Sequence, residues 1–464
     1  MSIEKKPANF PLPLSVFERY MLLDDRPSHP MASFLEVDLQ GDLSQTELQS
    51  ALSAALVRHP LLNSQVRRDA DGKLRWHVCP QAIQIQMLNA GESPPKSLRF
   101  DLEKEPGLRI WARKTSCGLD LILQVHHATS DALGMLTFVM EWLAQATGQD
   151  ANLPPESVAE LCRREDLSGV QATFPLRRRL RNICRYLFGR SPAPLAIPGT
   201  SPPVHSVEQD GPDHHFYHVV RLTQMEFREL RARAHRAHVS LNDWLTTALF
   251  QSIAQWNAFS VNQSSEKSAS GQQPGVAPWR VLIPVNRRGA TQRFLSACNR
   301  IGYKMLTRPR NETDSFPQLL ESIRNEMAPI RKNPAGVHNF VKMLRLFARL
   351  GLLHRTVRRY DCFSTVILSN LGDISQYFQP LFPVQNERLK NGKLAAGPVT
   401  IQAIRCAPPR RPNTHLTIVA MTYGGELQLI SSRISAGLMD THTLNFLQLF
   451  RETILHSCDR QNVE

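Results

Sequence analysis

The sequence predicts an α/β protein built of two similar segments. Two observations lead there. Strand-like alternation and helical periodicity take turns along residues 10–151, and do so again beyond residue 213. Between them lies a stretch rich in proline and arginine that reads as a connection. A chain of 464 residues has room for two to three domains of about 100–200 residues each. The expected boundaries are 1–155 for the N-terminal domain, 156–212 for the connection and 213–464 for the C-terminal domain.

In the first segment, Phe34-Leu35-Glu36-Val37-Asp38-Leu39 alternates as a strand does. A helix opens where Ser44 and Glu47 make a capping box, and Leu48, Leu52, Ala55 and Leu56 then share one face. Residues 108–114 and 119–125 are strands, joined by a turn at Ser116-Cys117-Gly118. A helix starting at Asp131 turns Leu133, Leu136, Val139, Met140 and Leu143 inward. Residues 176–190 of the connection form an amphipathic basic helix, Leu180, Ile183 and Leu187 on one face and Arg178, Arg181 and Arg185 around it. In the second segment 216–222 alternates, 225–237 is helical, and Ser240-Leu241-Asn242-Asp243 caps a helix through Trp256. Residues 260–278, rich in Ser, Gln and Gly, form a surface loop. Residues 281–285 are a strand, and Val366-Ile367-Leu368 leads into Ser369-Asn370-Leu371-Gly372. Tyr423-Gly424-Gly425-Glu426 is a hairpin turn between 416–421 and 427–431, and a last helix covers 439–456. Both segments run through strands and helices to an edge hairpin, without sequence identity between them.

Composition bounds the function classes. Lys and Arg outnumber Asp and Glu by 55 to 41, a net charge of +14 and a pI near 9.7. That balance favours an anionic partner: a phosphate-bearing cofactor, an acidic carrier protein or an anionic membrane surface. Nucleic acid is not expected, because no basic patch is interleaved with aromatics and no DNA-binding motif is present. The eight cysteines form no Cys-x-x-Cys pair, which argues against zinc ribbons and redox dithiols and for reduced thiols in the cytoplasm. Residues 10–14 are too short and proline-rich for a signal segment, and no run of about 18 apolar residues offers a membrane span.

The chemistry concentrates at His126-His127-Ala128-Thr129-Ser130-Asp131, just past the strand 119–125. A strand end holds an imidazole rigidly at a domain edge, and a neutral imidazole suits proton removal from a hydroxyl or amine near neutral pH. Against this, paired histidines recur at His214 and His215 without such a setting, and Asp131 alone reads first as a helix N-cap. His214, His215 and His218 share no helical face, so no metal site is expected, and His235 and His238 lie on a basic, solvated helix face.

The run resembles the His-His-x-x-x-Asp-Gly signature of the chloramphenicol-acetyltransferase-like superfamily, which includes peptide-synthetase condensation domains, plant acyltransferases and wax-ester synthases. Further matches come in the family's order. Pro11-Leu12-Pro13-Leu14-Ser15 resembles its opening, and Arg58-His59-Pro60-Leu61-Leu62 its helix-to-strand segment. Pro106-Gly107-Leu108-Arg109 resembles the start of its core run. Pro284-Val285-Asn286-Arg287-Arg288 resembles its "PVNxR" strand, Ser369-Asn370-Leu371-Gly372 its "SNLG" element, and Thr422 to Leu427 its terminal hairpin. The ordered set covers nearly the whole chain and carries more weight than any one motif. One departure stands out: the family glycine after the aspartate is Ala132 here, with Gly134 two residues on.

The resemblance implies two similar mixed-sheet domains with an active-site tunnel between them. It implies a free-standing acyltransferase that moves an acyl group from a thioester of coenzyme A or of a carrier-protein phosphopantetheine to a hydroxyl or amine, with no permanently bound cofactor. His127 is then the general base, His126 packs inward to orient the loop, and Asp131 points away from substrate to pair with Arg287. Ser369, Asn370 and Gly372 line the tunnel. An acidic acyl or peptidyl carrier protein is the implied macromolecular partner. A wax-ester or diacylglycerol acyltransferase on an anionic membrane is an alternative that the basic helices at 176–190 and 342–359 favour. A non-catalytic condensation-like binding module is another, which Ala132 favours.

Overall fold

The structure, a computed structural model, describes residues 10–95, 99–149, 159–165, 191–197, 216–264, 277–289, 295–332, 338–358, 362–378, 392–409, 411–433 and 440–457. The N-terminal half carries strands β1 (Leu12–Pro13), β2 (Ala32–Gln40), β3 (Ser64–Arg68), β4 (Leu74–Val78), β5 (Ile85–Leu88), β6 (Leu108–Lys114) and β7 (Gly118–His126). Its helices are α1 (Val16–Asp24), α2 (Gln45–Arg58) and α3 (Ala132–Ala146). The C-terminal half carries β8 (Tyr217–Leu222), β9 (Trp279–Asn286), β10 (Ile301–Arg308), β11 (Ser364–Asp373), β12 (Ala395–Ala396), β13 (Val399–Ala407), β14 (Thr414–Tyr423) and β15 (Glu426–Ser432).

The two halves repeat one topology. In the first, β2 pairs antiparallel with β7, β7 antiparallel with β6, and β6 parallel with β5. In the second, β8 pairs antiparallel with β15, β15 antiparallel with β14, and β14 parallel with β11. Each first strand leads into a helix with a capping box. Ser44 Oγ accepts from the Glu47 amide at 3.1 Å, and Thr223 Oγ1 from the Glu226 amide at 3.3 Å. Each hairpin leads into a long helix, α3 in one half and Asp440–His456 in the other. Gly424 and Gly425 make the second hairpin turn with φ of +60° and +85°, the left-handed pair that a two-residue type I′ turn needs.

The C-terminal residues do not stay in their own half. The first sheet runs β12-β13-β2-β7-β6-β5, so residues 395–407 complete the N-terminal sheet. Cys406 lies opposite Leu35 and Ile404 opposite Val37. Arg405 grips Asp38 with both Nη atoms, at 2.9 and 2.8 Å, the fork geometry that arginine and carboxylate favour. The second sheet runs β10-β9-β11-β14-β15-β8, and a small sheet runs β1-β4-β3.

One apolar cluster centres on Leu121, Leu136 and Trp142 and reaches Val419, Met421 and Ile430 of the second sheet; another centres on Trp244, Leu368 and Phe446. A third cluster joins the halves. It sets Tyr20 and Met21 of α1 against Tyr303, Phe340, Leu344 and Ile367. The helix His338–Arg349 therefore spends its apolar stripe on α1 and β10, with Phe340 edge-on to Tyr20 at 5.6 Å. The basic helix expected at 342–359 is thus two: the first ends at Arg349, Leu350 is 59% exposed, and a short helix Leu353–Arg358 follows. The basic helix expected at 176–190 and the pair His214–His215 lie outside the described residues. No helix among the described residues is long and apolar enough to cross a membrane.

Candidate active site

β7 ends at His126, and consecutive residues of extended backbone face opposite sides. His126 turns inward and is 1% exposed. Its Nδ1 accepts from the Ala128 amide at 3.1 Å, and its ring stands edge-on to Phe100 at 6.0 Å. Burial pushes its pKa down to about 4, with the neighbouring charges of Asp25, His127 and Arg99 as smaller influences. The Ala128 hydrogen bond ties the buried ring to the start of the loop.

His127 faces the other way. Its amide donates to the Met31 carbonyl at 2.8 Å, and its Nδ1 lies 2.9 Å from the Ser130 carbonyl. A carbonyl only accepts, so the proton sits on Nδ1 and Nε2 keeps its lone pair. Burial holds the His127 pKa below the ordinary imidazole value; Arg411 acts in the same direction, while the Ser130 carbonyl and Asp131 oppose. The ring is therefore neutral at pH 7.

Asp131 is 2% exposed and does three things at once. Its Oδ1 caps α3 by accepting from the Gly134 amide at 2.9 Å. Its Oδ2 accepts from Arg288 Nη1 and from the Arg300 amide, both at 2.8 Å. The partner is thus Arg288, which holds the arginine position of the PVNxR pattern, and not Arg287, the expected one. The difference is one residue at the end of β9, where neighbours point to opposite sides. Burial together with the charges of Arg300 and Arg345 lowers the Arg287 pKa to about 10. Arg288 also donates from Nη2 to the Cys298 carbonyl at 2.9 Å.

Residues 297–300 act as a clamp from the C-terminal half. Asn299 Nδ2 donates to the carbonyls of His127 at 2.7 Å and Ala128 at 3.0 Å. The Ala297 amide donates to Nδ1 of His59, whose Nε2 meets Glu141 at 2.8 Å. Sequence reasoning misses Asn299, because a lone amide 172 residues from the loop carries no local signal.

His127 lines a cavity of about 150 Å³ between the halves. Ser33, Asp131 and Ala132 contribute from the N-terminal half, and Pro284, Tyr303, Ser369, Asn370 and Arg411 from the other. Gly372, expected beside them, is not among the lining residues. Asn370 Oδ1 accepts from its amide at 2.9 Å, and the strand register shifts between the two, so Gly372 (φ +70°) forms a bulge. Ala132 opens α3 without a left-handed φ, so it takes the place of the family glycine free of backbone strain. It contributes to the cavity wall all the same. His218, considered for a metal above, is paired with Asp440 at 2.7 Å. The arrangement offers a neutral base beside a cavity between the halves, with its loop fixed from both.

No protein-family model matches the chain. Two curated sequences from Mycobacterium tuberculosis, the uncharacterized proteins MT2362 and Rv2305, are 22% identical over 255 residues, which covers 53% of this chain and 57% of each relative. The match thus spans little more than half of their length. Among solved structures, the epimerization domain from the third module of tyrocidine synthetase B superposes with a TM-score of 0.60 at 14% identity, covering 98% of both chains. Polyketide synthase associated protein 5 from Mycobacterium tuberculosis gives 0.56 at 15%, covering 98% of this chain and 99% of that one. The TRI3 trichothecene 15-O-acetyltransferase from Fusarium sporotrichioides gives 0.63 at 10%, covering 95% and 94%. At such identities the likeness establishes the fold: a two-lobed α/β architecture shared with condensation-type domains and acyltransferases.

Proposed function

We propose that this chain transfers an acyl group from a thioester to a hydroxyl or amine, with His127 as the general base. The observation that carries the reading is the state of His127: neutral, lining the cavity, with Nδ1 committed to Ser130 and Nε2 left available. In this reading the acceptor enters the cavity and Nε2 takes its proton. The acceptor oxygen or nitrogen attacks the thioester carbonyl, and a tetrahedral oxyanion forms. Its collapse breaks the carbon–sulfur bond. The thiolate takes the proton back from the imidazolium, and ester or amide leaves with free thiol. The shared fold with an O-acetyltransferase and with peptide-synthetase and polyketide-synthase associated proteins supports the reaction class.

The donor is coenzyme A or the phosphopantetheine arm of an acidic carrier protein; the net charge of +14 suits either. We place the reaction in the cytoplasm, consistent with the free cysteines among the described residues. A non-catalytic binding role would rest on Ala132, but Ala132 leaves the loop and helix geometry intact. The test is a panel of acyl-coenzyme A and acyl-carrier donors against mixed alcohols and amines, with free thiol and acylated product measured together. Stoichiometric thiol and product from at least one pair is expected. Product formed equally well without the protein, or thiol release without any acceptor dependence, argues against transferase chemistry.

A further inference from the structure

The site chemistry leaves one stretch of the sequence without a task. Between Glu326 and Asp361 the chain carries eight Lys and Arg residues and no Asp or Glu. The helices His338–Arg349 and Leu353–Arg358 lie in it. Their inward residues, among them Phe340, Leu344, Phe347, Leu353 and Val357, belong to the cluster that joins the halves. Other residues of the same helices face water. Leu346 is 38% and Leu350 59% exposed. The Leu350 amide still donates to the Leu346 carbonyl at 3.1 Å, so the two side chains stand one turn apart on one side of the helix end. Lys342 is one turn before them. Gly351, with φ +67°, then turns the chain, and Arg349, His354 and Arg355 are all exposed around that turn.

The charge of this corner is not balanced locally. Helix α1 packs against both helices, and its two acids are turned inward: Glu18 is 0% exposed and pairs with Arg164, and Asp24 is 3% exposed and pairs with Arg411. None of the three helices exposes a carboxylate among its described residues. Glu165 approaches from the connection and meets Arg345 at 3.7 Å. Leucines set in a basic surface suit an anionic bilayer, because apolar side chains enter the acyl boundary while cations stay among the headgroup phosphates. A protein partner fits less well. Specific interfaces bury about 1,200 Å² or more around a core enriched in aromatic residues. Here Phe17, Tyr20, Phe340 and Phe347 are all buried within the chain itself.

We propose that the corner at residues 342–355 docks this chain on an anionic membrane surface. Leu346 and Leu350 dip below the headgroups, and Lys342, Arg349 and Arg355 meet their phosphates. Binding is reversible and weakened by salt, since a pair of leucines and a few cations fall well short of an inserted helix. The inference does not depend on the acyl-transfer reading.

The test is flotation of the full chain with vesicles of phosphatidylcholine alone and of equal parts phosphatidylcholine and phosphatidylglycerol, at low and at high salt. The chain should float with the anionic vesicles at low salt only. A net charge of +14 draws the chain to such vesicles by any basic face, so variants locate the contact. Leu346→Ser with Leu350→Ser keeps every charge and should lower the partition about tenfold. Arg349→Gln with Arg355→Gln should lower it about tenfold as well. Val57→Ser with Met225→Ser removes two exposed apolar side chains elsewhere and should leave it unchanged. All are surface positions, so thermal melts should match wild type. Wild-type partition in the leucine variant, or no flotation with anionic vesicles at low salt, overturns the proposal. So does a chain that ignores vesicles but is retained by an immobilised acidic acyl carrier protein and released by Arg349→Gln with Arg355→Gln; the corner then serves a protein.

Discussion

His127 and Asp131 sit four residues apart and have different work to do. Removing the imidazole takes away the base and little packing, so His127→Ala should keep its melting temperature. Asp131→Ala leaves Arg288 buried without its carboxylate and removes the cap of α3, a loss of about 3–5 kcal/mol. A double-mutant cycle in chemical denaturation should couple Asp131 to Arg288 by about 0.5–3 kcal/mol and leave Arg287 near zero. A larger coupling to Arg287 contradicts the geometry. The histidines also set a pH dependence of stability. His126 titrates near 4 when folded and near 6.5 when unfolded, so the unfolded chain binds more protons between those values. Stability should fall as pH drops from 6.5 towards 4, by about 3 kcal/mol, and His126→Gln should flatten that slope. Both histidines and the aspartate are legible in the sequence because they form one local motif. Arg288 is legible too, since it holds the arginine position of the PVNxR pattern, and the expectation of Arg287 picks the variable position beside it. Asn299 is not legible at all, because its role depends on contacts across the halves.

The elements around the site tolerate change unevenly. Gly134 sits in the first turn of α3, where an added Cβ would come within 2.4 Å of Ser130 Oγ and 3.1 Å of the Cys298 amide. The Cys298 backbone belongs to the clamp at 297–300, so it cannot move without the His127 loop. Gly134→Ala should therefore destabilise by about 1–3 kcal/mol and slow turnover, even though alanine is the better helix former. Ala132→Gly, two residues earlier, should cost at most about 1 kcal/mol and enlarge the cavity. Thermal melts of the two variants side by side decide this: the reverse order of stability contradicts the clamp. Strands and capped helices are legible because alternation, Ser44–Glu47 and Gly424-Gly425 are local signals. The helix 338–349 is legible as amphipathic, but its periodicity says nothing of what the apolar stripe covers.

At the scale of the whole molecule, the halves repeat one topology and are then tied together by β13, the third apolar cluster and the clamp. The sequence shows two similar segments, yet nothing in residues 399–407 distinguishes a strand of its own half from one lent to the other. β2 pairs with β13 on its outer side, and without it would present an open edge. Heat should thus unfold both halves in one cooperative step, and Arg405→Ala, which frees Asp38, should lower that single transition. Two separate transitions would contradict the account of a tied pair. The same tie holds the two walls of the cavity at His127 together, and the central claim is that this histidine is a base. Thiol release with the best donor and acceptor pair, followed across pH in wild type and His127→Ala, tests it most directly. Expected are a wild-type rate that is level through neutral pH and falls only on the acid side of the ordinary imidazole value, because burial holds the His127 pKa below it, and a loss of about 10²–10⁴-fold in the variant with the fold unchanged. Equal rates in the two proteins would contradict it.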